Sequence, residues 1–302
     1  MVKIFGKGDK GKYVCAICKK QFSDKAGLMK HEETHINDSE KKEEIKPVKK
    51  PEKIVTKQDY IKIGIPGFDE LIEKGVPKGN AILISGGPGS GKTIFCLQIA
   101  NFFVEKGKRC VYMSFEEEEA KLKQHMKDFG WDPDKNIKNG NLAIKGFDPF
   151  EVVRLIEAMV EESKGELLIK TPPIKFLKEF MPDIVVVDSL SAVAAAFSGH
   201  ETSYRLYISQ LFRYLNSMGV TSFVITETEE IPTEITRRGC EEFLADGVIL
   251  LYNLKKTDIR ISALEILKMR GVKHQKRIVP MQITEKGIVI YPKQEVFEAL
   301  ET

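Results

Sequence analysis

The chain has 302 residues, of which 42% are hydrophobic and 30% charged, and its net charge is +3. That composition supports a large core and excludes wholesale disorder, a collagen-like fibre and a membrane bundle. No apolar stretch approaches the roughly 20 residues that a spanning helix requires, and the opening MVKIFGKGDKGK lacks the apolar core of a secretory signal. A cytoplasmic location without membrane contact is expected.

The charge is uneven along the chain. Residues 1–35 hold eight Lys and four acidic residues, residues 36–60 seven Lys and six acidic residues, and the remainder is slightly acidic. The body is therefore not a nucleic-acid binder by charge alone, although the basic N-terminal tip can touch phosphate. Four zones follow: a small basic segment with clustered Cys and His over 1–36, a charged linker over 37–59, a large β-rich domain over 60–295 and a short tail over 296–302.

The first zone reads Tyr13-x-Cys15-x2-Cys18-x3-Phe22-x5-Leu28-x2-His31-x3-His35, the C2H2 zinc-finger pattern. Four ligands, Cys15, Cys18, His31 and His35, saturate a tetrahedral Zn²⁺, which marks a structural site of ββα form. A unit this small needs the metal to fold. Its base-facing positions would be Asp24, Gly27 and Lys30, and Gly27 has no side chain with which to read a base. One finger covers only about 3 bp, so DNA, RNA or a protein partner all remain open as its target. The linker, with Pro47 and Pro51 among mixed charges, lacks apolar periodicity and reads as solvated.

From about Tyr60 short β-rich runs alternate with amphipathic segments. The runs are AILIS (81–85), CVYMSF (110–115), DIVVVDS (183–189), VTSFVIT (220–226) and DGVILLY (246–252), with helical patterns at 94–104, 150–162 and 204–217. This rhythm predicts an α/β fold with a mainly parallel sheet. After residue 246 strand follows strand, through RISALEILKM, RIVPMQIT and GIVIYP, which predicts an antiparallel C-terminal extension.

Between the first strand and its helix lies Gly86-Gly87-Pro88-Gly89-Ser90-Gly91-Lys92-Thr93, matching G-x-x-x-x-G-K-[ST]. The glycines let consecutive N–H groups face one oxyanion, and the helix N-terminus adds partial positive charge. Lys92 supplies a charge for the β- and γ-phosphates of ATP and Thr93 a hydroxyl for Mg²⁺. Asp188, closing the run DIVVVD, is either a second Mg²⁺ ligand or the N-cap of the next helix. Glu116 and Glu117 follow a strand at the carboxyl end of the sheet, where one can handle the proton of an attacking water. The alternative is that both belong to an acidic first helical turn. Lys268 and Arg270 alternate along a strand, with Met269 on the other face. Phe102, Phe103, Phe115 and the isolated Cys96, Cys110 and Cys240 read as core, Trp131 as packing at a helix end, and His125 and His274 as surface or packing residues.

Taken together, GIPGFDELIEKGVPKGN (64–80), the phosphate loop, SFEE (114–117), VVVDSLSA (185–192), VITETEE (224–230), RRGCEEFLADGVILL (237–251), LEILKMRGVKH (264–274) and ITEKGIVIYP (283–292) resemble the RecA-fold ATPases of the KaiC type over about 60–292. The resemblance implies a RecA-like P-loop NTPase in which SFEE carries the catalytic carboxylate pair. It also implies a homo-oligomeric ring, usually a hexamer, with ATP between subunits. Lys268 and Arg270, from the KMRG segment, would then reach the neighbour's γ-phosphate. Two departures bear on function. The circadian member has two tandem rings where this chain has one ATPase core. Its Ser and Thr phosphoacceptors correspond to Glu242 and Phe243, so autophosphorylation is not expected here. The competing classes are a RecA/RadA-related recombination or repair ATPase on single-stranded DNA, and a nucleotide-binding scaffold with little hydrolysis.

Overall fold

The computed structural model describes residues 13–14, 20–22, 24, 26–27, 59–162, 172–228, 240–256 and 259–296. The chain divides into two compact units, Met1–Thr56 and Lys57–Thr302. In the first, β1 (Tyr13–Val14) pairs antiparallel with β2 (Gln21–Phe22), Tyr13 opposite Phe22. The carboxylate of Asp24 accepts the N–H of Gly27 at 2.8 Å, capping the helical turn at 26–27. The four expected zinc ligands lie outside the described residues, as does the linker up to residue 58.

The second unit begins with a two-stranded ribbon, β3 (Tyr60–Ile61) and β4 (Val76–Pro77). Its main sheet comprises β5 (Ala81–Gly86), β6 (Cys110–Ser114), β7 (Leu142–Gly146), β8 (Ile184–Asp188), β9 (Thr221–Glu227), β10 (Gly247–Lys256), β11 (Ile259–Met269), β12 (Val279–Thr284) and β13 (Gly287–Ile290). Their order is β13-β12-β11-β10-β5-β9-β8-β6-β7. From β10 to β7 every pairing is parallel, and from β10 to β13 every pairing is antiparallel. The expected α/β RecA-like architecture with an antiparallel C-terminal extension is present.

Two apolar layers explain why the parallel strands read as unbroken runs. Ile82, Ile84, Tyr112, Val186, Phe223 and Ile225 face one layer, beneath the helix Lys92–Glu105. Leu83, Val111, Met113, Val185, Val187 and Val224 face the other, beneath the helices Pro149–Glu162, Pro172–Phe180, Leu190–Ala196 and Glu201–Ser217. With both faces covered, alternation of side chains gives no alternation of polarity. The edge strand β7 was not anticipated. Its buried Leu142 and Ile144 alternate with the partly exposed Ala143 and the exposed Lys145, so it lacks the run that betrays an interior strand. β10 also outlasts the predicted run. Residues 247–251 pair with β5, while the pairing with β11 continues to Lys256.

The outer strand β13 is tied to the core by one side chain. Gln98, nearly buried in the helix Lys92–Glu105, donates to Ile288 O at 3.1 Å and accepts from Ile288 N at 2.6 Å. It substitutes for a further strand along that stretch of the exposed edge. Replacing it by Leu orphans two buried backbone groups, each costing about 1–3 kcal/mol. Gln98→Leu is expected to lower Tm by ~5–10 °C at unchanged nucleotide-loop sequence, and a calorimetric shift below 2 °C would contradict this role.

Candidate functional site

The strand β5 ends on Gly86, and the chain must turn at once into the helix that begins at Lys92. A Cβ on Gly86 would lie 2.3 Å from Leu251 O and 2.6 Å from Ser90 Oγ, so the loop can be this tight only with glycine there. Gly91 has φ 92°, a left-handed conformation that a side chain disfavours. The turn at Gly87–Ser90 is closed by Ser90 N–H donating to Gly87 O at 3.3 Å. Ser90 Oγ is buried with no partner. Pro88 and Gly89 form the exposed crest of the loop.

Lys92 folds its buried ammonium back over this loop. It donates to Gly87 O at 3.0 Å and lies 3.6 Å from Glu227 Oε1, at the end of β9. The ammonium of Lys92 is thus already paired with an anionic oxygen. Glu227, not singled out from the sequence, is reached only because β5 and β9 are neighbours with Gly86 opposite Glu227.

On the far side of β9, β8 ends in Asp188, which is 2% exposed. Its Oδ2 accepts from Thr93 Oγ1 at 3.0 Å and from Tyr112 OH at 2.5 Å. The N-cap of the following helix Leu190–Ala196 is Ser189, not Asp188, so the capping alternative does not apply. Burial raises the carboxyl pKa to about 6, the hydrogen bond from Tyr112 pulling the other way and the charge of Glu116 adding to the rise. A hydroxyl and a carboxylate joined beside a phosphate-sized loop are a hard-oxygen donor pair of the kind Mg²⁺ takes. The orphaned Ser90 hydroxyl and the glycine-only loop fit an anion beside it.

The strand β6 ends at Ser114, opposite Asp188 on β8. The next helix is Glu119–Asp128 with Glu118 at its N-cap, so Glu116 and Glu117 precede the helix and are not its first-turn acids. Ser114 Oγ donates to Glu117 O at 2.7 Å and accepts the N–H of Glu117 at 2.9 Å, pinning the turn. Glu116 Oε1 accepts a hydrogen bond from Ser189 Oγ. Glu117 Oε2 lies 3.0 Å from His125 Nε2 and 3.4 Å from Lys121 Nζ. His125, read from the sequence as a surface or packing residue, therefore touches a candidate catalytic carboxylate. Its signal was the i,i+4 spacing of Lys121 and His125 on the helix after SFEE.

Lys268 and Arg270 lie on one side of the chain with Met269 buried on the other, but they are not free strand charges. Lys268 Nζ donates to Glu242 O at 3.0 Å and Ala245 O at 2.7 Å, and Arg270 pairs with Asp246 at 3.2 Å and Phe243 O at 3.3 Å. Both thus cap the short helix Cys240–Leu244. Desolvation lowers the Lys268 pKa, and the charge of Arg270 lowers it further. Phe103, Phe115, Cys96 and Cys110 are buried, and Trp131 stacks on Phe129 at a helix end. The side chain of Cys240 lies outside the described residues. Both ring nitrogens of His274 are buried without a partner.

Carboxylates and cations at the carboxyl ends of β5, β6, β8 and β9, over a sheet whose order reverses at β5, define the RecA-like class of P-loop nucleotide-binding domains. Within that class, the family model of the KaiC ATPase matches residues 61–295, and the chain belongs to that family. It is 34% identical to the UPF0273 protein of Aeropyrum pernix, over 79% of this chain and 96% of that one. It is 35% identical to the circadian clock protein KaiC3 of Synechocystis, over 78% of this chain but 46% of the relative, so it spans about half that protein's length. A crystal structure of a KaiC-like protein from Pyrococcus horikoshii matches with TM-score 0.66 and 34% identity, covering 78% of this chain and 100% of that one. Among the described residues no helix is long and apolar enough to cross a membrane, and no group of three or more His, Cys, Asp or Glu could hold a metal ion.

The Asp188 carboxyl has a stability signature in metal-free protein. Its folded pKa of about 6 lies above the ordinary 3.8, so the fold favours the protonated form. Stability from this group falls as pH rises from about 4 to 6, and the full penalty, ~3 kcal/mol, stands at neutral pH. Asp188→Asn, which keeps the hydrogen bonds and removes the charge, should raise the metal-free Tm at pH 8 and gain roughly half as much at pH 5. An equal gain at both values would refute the assignment.

Proposed function

We propose that residues 60–295 form a Mg²⁺-dependent ATPase acting as a homo-oligomeric ring, with a tethered zinc finger that recruits a partner. The observation that carries this reading is the hydrogen bond between Thr93 and Asp188 at 3.0 Å, which links the phosphate loop to the end of β8, two strands away. In the proposed reaction the N–H groups of 87–91 and the helix N-terminus receive the phosphates of ATP. Lys92 exchanges Glu227 for the β- and γ-phosphates. Thr93 and Asp188 would hold Mg²⁺, which neutralises charge on the phosphate oxygens. Glu117 orients and deprotonates the attacking water, and Glu116, steadied by Ser189, fixes the turn beside it.

Lys268 and Arg270 would complete the site from an adjoining copy. Lys268 is committed to two carbonyls of its own chain, whereas the Arg270 side chain remains 55% exposed, which favours Arg270 as the group that reaches across. Its guanidinium can keep one edge on Asp246 and offer the other to a phosphate. Positions 242 and 243 are Glu and Phe, neither of which accepts a phosphoryl group as Ser or Thr does, so the cycle is read as hydrolysis without autophosphorylation.

For the finger, the β1–β2 pairing and the Asp24 cap supply the start of a ββα unit, and Cys15, Cys18, His31 and His35 supply a donor set suited to Zn²⁺. Asp24 is occupied with its own backbone and Gly27 offers no side chain, which disfavours base reading. Phosphate contact or a protein surface are the uses left to it, strengthened by several copies on a ring.

Three experiments check these readings. Lys92→Ala should lose ATP binding, and Glu117→Gln should bind ATP yet hydrolyse it at least ~10²-fold more slowly. A mixture of Lys92→Ala with Arg270→Ala subunits should recover part of the activity that each lacks alone. Wild-type turnover in Glu117→Gln, or no recovery in the mixture, would remove the base or the shared site respectively. Metal analysis of full-length protein should find about one Zn²⁺ per chain, lost in Cys15→Ala with basal ATPase retained; zinc-free, soluble wild-type protein would overturn the finger.

A further inference from the structure

Glu117 is anchored at its backbone but not by that alone at its carboxylate. Ser114 fixes the main chain of the turn, while a glutamate side chain retains three rotatable bonds beyond it. A group that must meet one water at one angle needs its carboxylate fixed as well, since misplacement of about 1 Å can cost 10²-fold in rate. Two side chains from the helix Glu119–Asp128 meet it, and both fall on the same oxygen. His125 Nε2 is 3.0 Å and Lys121 Nζ 3.4 Å from Oε2. Among the described residues no contact falls on Oε1, which is the oxygen available to a water.

The two contacts are unequal. The Lys121 side chain is 63% exposed and reaches Glu117 through four flexible torsions, so solvent screens it and entropy loosens it. The imidazole has two torsions, is 37% exposed and sits at hydrogen-bond distance. With its proton on Nε2 the ring donates to the carboxylate and fixes its direction. The imidazole thus holds Oε2 more firmly than the long, solvated Lys121 that reaches the same oxygen.

We propose that His125 is a positioning residue for ATP hydrolysis, holding Glu117 Oε2 so that Oε1 is presented to the attacking water. The inference rests on the reading of Glu117 as the base and names the side chain that makes that base effective.

The test uses full-length protein carrying His125→Leu, His125→Ala, His125→Gln, Glu117→Gln and the Glu117→Gln/His125→Leu pair. Leu and Ala remove the donor, and Gln places an N–H close to where Nε2 stood. The Leu and Ala variants should lose on the order of 10-fold in kcat, with KM and the equilibrium affinity for a fluorescent ATP analogue within about twofold of wild type. His125→Gln should recover most of the loss. In the Glu117→Gln background His125→Leu should cost nothing further, because the group it positions is gone. Two donor-removing variants keep the test intact if one folds poorly. If Glu117→Gln is inactive while both donor-removing variants turn over normally, the positioning role is lost and the base stands. If Glu117→Gln turns over normally, the base reading itself has failed. A matching loss of nucleotide affinity, or an additive loss in the pair, would make His125 structural and overturn the inference.

Discussion

The constraint on which the rest depends is that the parallel strands are covered on both faces. A strand between two apolar layers has no room for a charge along its length, so charged side chains are confined to its ends. Asp188 ends β8, Glu116 and Glu117 follow β6, Glu227 ends β9 and the glycine loop follows β5. All of these ends point the same way because the strands are parallel. Residues more than a hundred positions apart thus reach one rim, with no segment devoted to gathering them.

Within that rim the groups hold one another in the absence of a ligand. Lys92 rests between Gly87 O and Glu227, Asp188 receives Thr93 and Tyr112, Glu116 receives Ser189, and Glu117 receives His125 and Lys121. Each acid has a nearby donor or cation, so a cluster of carboxylates does not scatter the loops by repulsion. Asp188 still bears a cost, because burial outweighs the hydrogen bonds that favour its charge. A buried carboxylate held against its preference is poised for a cation.

Much of this was legible in the sequence, for reasons that differ by residue. The phosphate loop declares itself because glycine is the only residue that fits at Gly86, and the interior strands because two-sided burial demands continuous Val and Ile. β7 escaped because an edge strand is covered unevenly and reads as weak alternation. Asp188 could be placed at a strand end but not separated from a cap until Ser189 was seen to cap the helix. Glu227 and His125 escaped because their importance lies in which strand or turn they face. Sequence order does not encode that adjacency until the sheet order is known. Lys268 and Arg270 could be read as two cations on one strand face, and only the carbonyls of the short helix they cap show what holds them.

The amide of Gln98 grips β13 from the same helix whose first turn carries Lys92 and Thr93. That helix is a stiff rod of 14 residues, and both of its loads are fastened by direct bonds. The first turn of that helix and the outermost strand of the sheet are thus joined through one rigid element, with a pair of bonds to backbone groups as its rivet.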